Sequence, residues 1–80
     1  MNQTLTLDRL GLGVKASVKS ISGSDPYLRN KLLAMGIVEG TLLEVTRIAP
    51  LGDPIKIKAL GYKLSLRLSE AAKVEVLPLK

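Results

Sequence analysis

The 80-residue sequence has no cysteine, histidine, tryptophan or phenylalanine, and it has only two tyrosines. Without thiol or imidazole groups, the chain cannot build a Ser-His-Asp or Cys-His nucleophile system, nor a zinc site made of Cys and His. Disulfides are excluded as well, although chains this short often depend on them for stability. The fold must therefore rest on aliphatic packing, and the lack of cysteine fits a reducing compartment.

The acidic residues do not form a pattern that indicates a site either. The seven Asp and Glu residues are scattered, and no two of them lie closer than five positions apart. Paired carboxylates at short spacing would indicate acid-base chemistry or a site for a hard cation. We therefore expect no catalytic residue, no resident metal and no cofactor in this chain.

The chain carries a formal charge of +5, spread along its length rather than gathered in one run. Its longest apolar stretch, residues 32–38, is far shorter than the roughly 20 residues that a membrane-spanning helix needs. The first residues show neither a basic start nor an apolar run of the kind that signal peptides have. These features predict a cytoplasmic protein with one domain over residues 1–80.

Alternation of apolar and polar residues predicts five to six short strands. The apolar positions of these runs are Leu5, Leu7, Val14, Ala16, Val18, Leu43, Val45, Ile55, Ile57, Ala59, Tyr62, Leu64, Leu66, Leu68, Val74 and Val76. Ile21 falls out of phase, which predicts either a bulge or the end of the strand near Ser20. Because each strand is apolar on one side only, we expect a mainly β fold: a small, strongly curved antiparallel barrel around one core.

One convincing helix is predicted, over about residues 26–35. Asp25 suits the N-cap and Pro26 the first helical position, while Gly36 suits the left-handed residue that ends a helix. Gly40 is a second position where a positive φ is expected. The helix has one apolar face, formed by Leu28, Leu32 and Met35. A single helical turn is predicted near residues 69–72.

Two segments resemble a known family. They read Leu-Arg-Asn-Lys-Leu-Leu-Ala-Met-Gly-Ile-Val-Glu-Gly-Thr over residues 28–41 and Arg-Ile-Ala-Pro-Leu-Gly-Asp-Pro over residues 47–54. This combination closely resembles the FeoA family of small cytoplasmic proteins. The resemblance implies an SH3-like β-barrel and a non-enzymatic accessory role in bacterial ferrous iron uptake, through contact with the cytoplasmic region of the FeoB GTPase and transporter. It also implies that the membrane is reached only through FeoB.

The helix and its exit form the first candidate contact surface. One helix face cannot bury the consecutive apolar residues 32–35, so part of the segment should stay exposed, and exposed apolar patches often bind partners. We therefore expect Leu33, Met35, Ile37 and Val38 to contact FeoB or a second copy of the chain.

The second candidate is the turn around Leu51. Turn geometry alone explains Pro50, Gly52, Asp53 and Pro54. Leu51 is not explained by turn geometry, and it either folds back onto the core or faces a partner.

The third candidate is a basic strand face formed by Lys56, Lys58, Lys63 and Arg67. Such residues commonly serve solubility and protect a sheet edge from pairing. The alternative function is that of a small nucleic-acid-binding barrel. Base stacking needs aromatic side chains, however, and Tyr62 is in phase with inward-facing residues. We therefore expect no nucleic acid as partner.

Overall fold

Six antiparallel strands form one sheet in the computed structural model, which describes residues 4–22 and 25–79. The strands are β1 (Leu5–Thr6), β2 (Lys15–Ile21), β3 (Leu42–Ile48), β4 (Ile55–Ala59), β5 (Tyr62–Leu66) and β6 (Val74–Pro78). Their order in the sheet is β1-β6-β2-β3-β4-β5. The buried faces from both ends of this sheet meet in a single hydrophobic core, so the sheet is strongly curved.

Two α-helices and one 3₁₀ helix complete the described fold. Helix α1 spans Pro26–Ala34 and α2 spans Leu68–Ala71, so both sequence predictions are confirmed to within a residue. The predicted first strand ends earlier than expected, because the chain turns into a 3₁₀ helix at Leu7–Arg9. The run predicted to continue to Leu68 likewise ends at Leu66, because Leu68 begins α2. Leu7 is nevertheless buried. Within the described residues, no helix has the length and apolar character needed to cross a membrane.

The core is aliphatic, as the composition requires. Strand β4 shows the alternation most clearly, because Ile55, Ile57 and Ala59 are buried while Lys56 and Lys58 are exposed. A fully buried isoleucine side chain contributes about 1.5–3 kcal/mol relative to an exposed one. The half-buried Tyr62 packs against the same core, which agrees with its inward phase in the sequence.

Two irregularities interrupt the ladders. The pairing of β2 with β6 shifts between Val18 and Ser20, so the irregularity expected near Ser20 is a bulge, and the strand continues to Ile21. A second shift, between Val45 and Arg47, interrupts the pairing of β3 with β4 and was not predicted. Beyond this shift, Arg47 lies opposite Lys56 on the neighbouring strand.

Candidate docking surface

The start of α1 is fixed by Asp25. Its Oδ1 accepts a hydrogen bond from the backbone N–H of Leu28 at 3.0 Å, and its Oδ2 accepts one from Lys73 Nζ at 2.8 Å. The hydrogen bond from Lys73, followed by that from Leu28, lowers the pKa of Asp25 below its ordinary value. Pro26 occupies the first helical position, as expected. The cap thus ties α1 to the segment that precedes β6.

The end of α1 is a Schellman motif. The backbone N–H of Gly36 donates to the carbonyl of Leu33, and that of Ile37 donates to the carbonyl of Leu32, both at 2.9 Å. Gly36 has a φ of 82°, so its predicted left-handed conformation is confirmed. This motif normally brings together the residue after the glycine and a residue of the last helical turn.

Ile37 follows this rule, and its expected exposure is therefore wrong. The side chain is only 1% exposed, as is that of Leu32. The motif directs Ile37 into the core. Its side chain therefore packs beneath the exposed residues and cannot contact a partner directly. Met35 is half-buried and also packs against the core.

Leu33 and Val38 are the two large apolar residues of this segment that remain substantially exposed, each by 46%. The loop carrying Val38 is held in place, because its backbone N–H donates to Thr41 Oγ1 at 3.0 Å. Gly40 has a φ of 89°, as predicted, and its N–H donates to the carbonyl of Val18 at 2.7 Å. The exposed side chains therefore stand on an ordered backbone.

Leu60 is a surface residue that the sequence analysis missed. It lies in the two-residue connection between β4 and β5, has a φ of 55° and is 57% exposed. Such turns require positive φ at both central positions and favour Asn-Gly, so Leu is an unusual choice beside Gly61. Its Cδ1 atom lies 3.1 Å from the position that a Cβ atom on residue 36 would occupy. Gly36 thus allows both the helix end and the close approach of Leu60.

A hydrogen bond joins the hairpin to the helix end. The hydroxyl of Tyr62 donates to the backbone carbonyl of Met35. Leu60 and the end of α1 are therefore fixed relative to one another. We call Leu33, Met35, Val38 and Leu60 the helix-exit surface.

A shallow groove of about 350 Å³ adjoins this surface. Leu33 and Val38 line it together with Ile21, Arg29 and Glu39. An apolar centre beside charged residues is the usual composition of a protein-protein contact. Because neither Leu33 nor Val38 is buried, a partner can cover both.

The turn between β3 and β4 settles the position of Leu51. The backbone N–H of Gly52 donates to the carbonyl of Ala49 at 2.7 Å, and Gly52 has a φ of 86°. Asp53 Oδ1 accepts the backbone N–H of Leu68 at 3.0 Å. Leu51 is 95% exposed, so it projects outwards and does not fold back onto the core.

The basic residues of β4 and β5 are exposed as expected. Lys58 lies between Glu44 and Lys63, and Lys56 lies between Arg47 and Ser65. Like charges placed opposite one another on a sheet destabilise it slightly. Glu44 opposite Lys58 offsets part of this repulsion, and the face keeps an excess of positive charge.

Four of the described carboxylates have structural partners, namely those of Asp25, Asp53, Glu70 and Glu75. No group of three or more Asp or Glu side chains comes together among residues 4–22 and 25–79. Glu70 accepts the backbone N–H of Arg67 and pairs with Lys31 at 3.4 Å, and these contacts, in that order, lower its pKa. Glu70 thereby links α2 to α1.

A curved six-stranded antiparallel sheet with one main helix is the architecture of a small SH3-like domain. A sequence model of the FeoA domain matches residues 5–78. The chain therefore belongs to the FeoA family.

Individual relatives support this assignment. The chain is 36% identical over 72 residues to the Fe(2+) transport protein A/Fe(2+) transporter FeoB fusion protein of Porphyromonas gingivalis, covering 90% of this chain and 8% of that protein. The NMR structure of a FeoA-like protein from Clostridium acetobutylicum aligns with a TM-score of 0.88 and 38% identity, over all of this chain and 92% of that one. Stenotrophomonas maltophilia FeoA, an SH3-domain protein crystallised with zinc, aligns with a TM-score of 0.78 and 28% identity, over 90% of this chain and 88% of that one.

Proposed function

We propose that this chain, as one cytoplasmic domain over residues 1–80, is a non-enzymatic accessory of bacterial ferrous iron uptake that acts by binding the cytoplasmic region of FeoB. The helix-exit surface is the observation that carries this proposal. It exposes Leu33, Val38 and Leu60 on a backbone that hydrogen bonds hold in place. A pre-ordered apolar surface loses little conformational entropy when a partner covers it.

The Porphyromonas gingivalis fusion protein supports FeoB as the partner. In that relative, a FeoA sequence and a FeoB transporter belong to one chain, of which the present chain spans only 8%. Covalent linkage keeps two modules at a high effective concentration. That arrangement favours a direct contact between the two modules.

The proposed role does not require a metal site in the chain. Ferrous iron is the cargo of the transporter, and Fe²⁺ favours sites that include imidazole, thiolate or clustered carboxylates. The sequence has no histidine and no cysteine. The protein would therefore modulate uptake through contact, while FeoB handles the ion.

The test is a binding titration of the purified chain against the cytoplasmic region of its own FeoB, with and without guanine nucleotide. Leu33→Asp places a charge on the helix-exit surface, in the groove that Leu33 shares with Val38, and should weaken binding at least about tenfold, as expected for an apolar contact residue that a partner buries. Leu51→Asp is the matched control, because it puts the same charge on an exposed leucine of a different turn. It should bind like the unmodified chain.

Circular dichroism must show that both variants are folded. Full affinity of a folded Leu33→Asp variant would contradict the proposed surface. If Leu33→Asp instead abolished self-association in sedimentation while FeoB binding stayed intact, the surface would belong to a second copy of the chain.

A further inference from the structure

The turn that carries Leu51 is held by hydrogen bonds, so the fold itself exposes this side chain. The turn that carries it is closed by the 2.7 Å bond between Gly52 N–H and the Ala49 carbonyl, and by a 3.1 Å bond between Ala49 N–H and the Pro54 carbonyl. Asp53 anchors it to the start of α2. The fold therefore holds one leucine almost entirely in solvent, although a polar residue would satisfy the turn equally well.

Basic residues lie at the same end of the sheet. Arg47 and Lys56 are cross-strand neighbours close to the turn, and Arg67 follows β5 next to the point where Asp53 anchors the turn. All three side chains are exposed. The ion pairs formed by the described residues involve other cations, Lys31 and Lys73. None of these three cations forms an ion pair with a described residue, although Arg67 lies near enough to Glu70 to help lower the pKa of that carboxyl.

This end of the sheet is separate from the helix-exit surface. Strand β4 runs from the turn of Leu51 to the hairpin of Leu60, so the two exposed leucines lie beyond its opposite ends. We call Arg47, Leu51, Lys56 and Arg67 the loop-end surface. Its combination of one projecting apolar side chain and several unpaired cations is not used by the proposed contact with FeoB.

We propose that the loop-end surface binds directly to a bilayer of anionic lipids. Leu51 enters the boundary between headgroups and acyl chains, and Arg47, Lys56 and Arg67 contact lipid phosphates. Peripheral membrane binding generally combines a buried apolar group with electrostatic attraction to anionic lipids. The protein then reaches the membrane itself as well as through FeoB.

The shape of the surface favours a lipid layer over other anionic partners. A protein partner would be expected to bury a cluster of apolar residues around its anchor, whereas the large apolar side chains exposed beside this turn are Leu51 at its tip and Ile48, which is 42% exposed. Single-stranded nucleic acid would be expected to use aromatic side chains for stacking, and Leu51 is aliphatic. A fluid interface can accept a single projecting side chain without a complementary pocket.

Vesicle co-sedimentation of the purified full chain tests this proposal without FeoB. We expect binding to equimolar phosphatidylglycerol and phosphatidylcholine vesicles, and none to pure phosphatidylcholine vesicles. Binding should fall steeply in 1 M NaCl, where the Debye length is only about 3 Å. Leu51→Asn should weaken binding about tenfold, and Lys56→Glu should weaken it at least about fivefold.

Leu60→Asn and Lys19→Glu are the matched controls, since they make similar changes at exposed positions away from the loop-end surface. Both should bind vesicles like the unmodified chain. Failure to bind phosphatidylglycerol vesicles, or equal binding by Leu51→Asn, would overturn the proposal. So would tighter binding to single-stranded RNA that is insensitive to Leu51→Asn. None of these results changes the test of FeoB binding, so the two proposals fail separately.

Discussion

Replacing Leu60 with asparagine should separate folding stability from partner binding. Leu60 adopts a φ of 55°, which costs an ordinary side chain about 1–2 kcal/mol. Asparagine tolerates this conformation far better and is the favoured residue at this turn position. The substitution should therefore relieve most of that cost.

The loss of packing opposes this gain. Leu60 is 57% exposed, so less than half of its surface is buried, and part of that contact is with Gly36. Full burial of a leucine contributes about 1.5–3 kcal/mol, so the loss here is about 1 kcal/mol. We expect the free energy of unfolding of Leu60→Asn to be unchanged or to increase by up to about 1 kcal/mol.

Binding to FeoB should change in the opposite direction. Leu60 is one of the most exposed apolar residues of the helix-exit surface, so Leu60→Asn should weaken FeoB binding about tenfold. Urea unfolding followed by circular dichroism gives the stability, and titration against the FeoB cytoplasmic region gives the affinity. Leu51→Asn is the control and should leave both quantities nearly unchanged. Destabilisation by about 2 kcal/mol or more, with unchanged affinity, would refute the reasoning and make Leu60 an ordinary packing residue.

Two further predictions concern the ends of α1. Ile37→Val should lower the free energy of unfolding by about 0.5–1.5 kcal/mol in urea titrations while FeoB affinity stays the same, because Ile37 is buried. Weaker FeoB affinity without any loss of stability would instead mean that Ile37 contacts FeoB directly. The pKa of Asp25 is held below its ordinary value of 3.8, so its contribution to stability is complete above that pH and is lost as the pH falls through the folded-state pKa. Asp25→Asn should retain a cap but lose this part of the acid dependence, which melting temperatures measured between neutral and acidic pH will show. An unchanged profile would mean that the negative charge of Asp25 contributes nothing to stability through Lys73 or the N–H of Leu28.

The strands and the helix were predictable because local periodicity determines which residues can be buried together. Strand β4 is the clearest example, since Ile55, Ile57 and Ala59 alternate with lysines and the structure buries all three. Asp25 and Gly36 likewise act through contacts within a few residues, so their roles as caps could be predicted from the sequence alone.

The helix-exit surface was only partly predictable, because it depends on contacts between distant segments. Leu60 lies 24 positions from Gly36, and nothing local indicates that they touch. The unusual Leu-Gly turn was the available signal, since Leu is disfavoured where positive φ is required. Ile37 was misplaced because consecutive apolar residues were counted along the helix, whereas the Schellman motif reverses the chain and buries the residue that follows it.

The positions of the two proposed surfaces constrain how the chain could meet a membrane transporter. Leu51 and Leu60 lie beyond opposite ends of β4, and the largest dimension of the described fold is 31 Å. With the loop-end surface on the lipid headgroups, the helix-exit surface would face away from the bilayer. The helix-exit surface would then meet a part of FeoB that projects from the membrane, because the membrane-embedded part of FeoB would lie on the side of the loop-end surface. Lipid binding would thus orient the domain and restrict its search for FeoB to the membrane plane, which raises the effective concentration of the two partners without adding any contact between them.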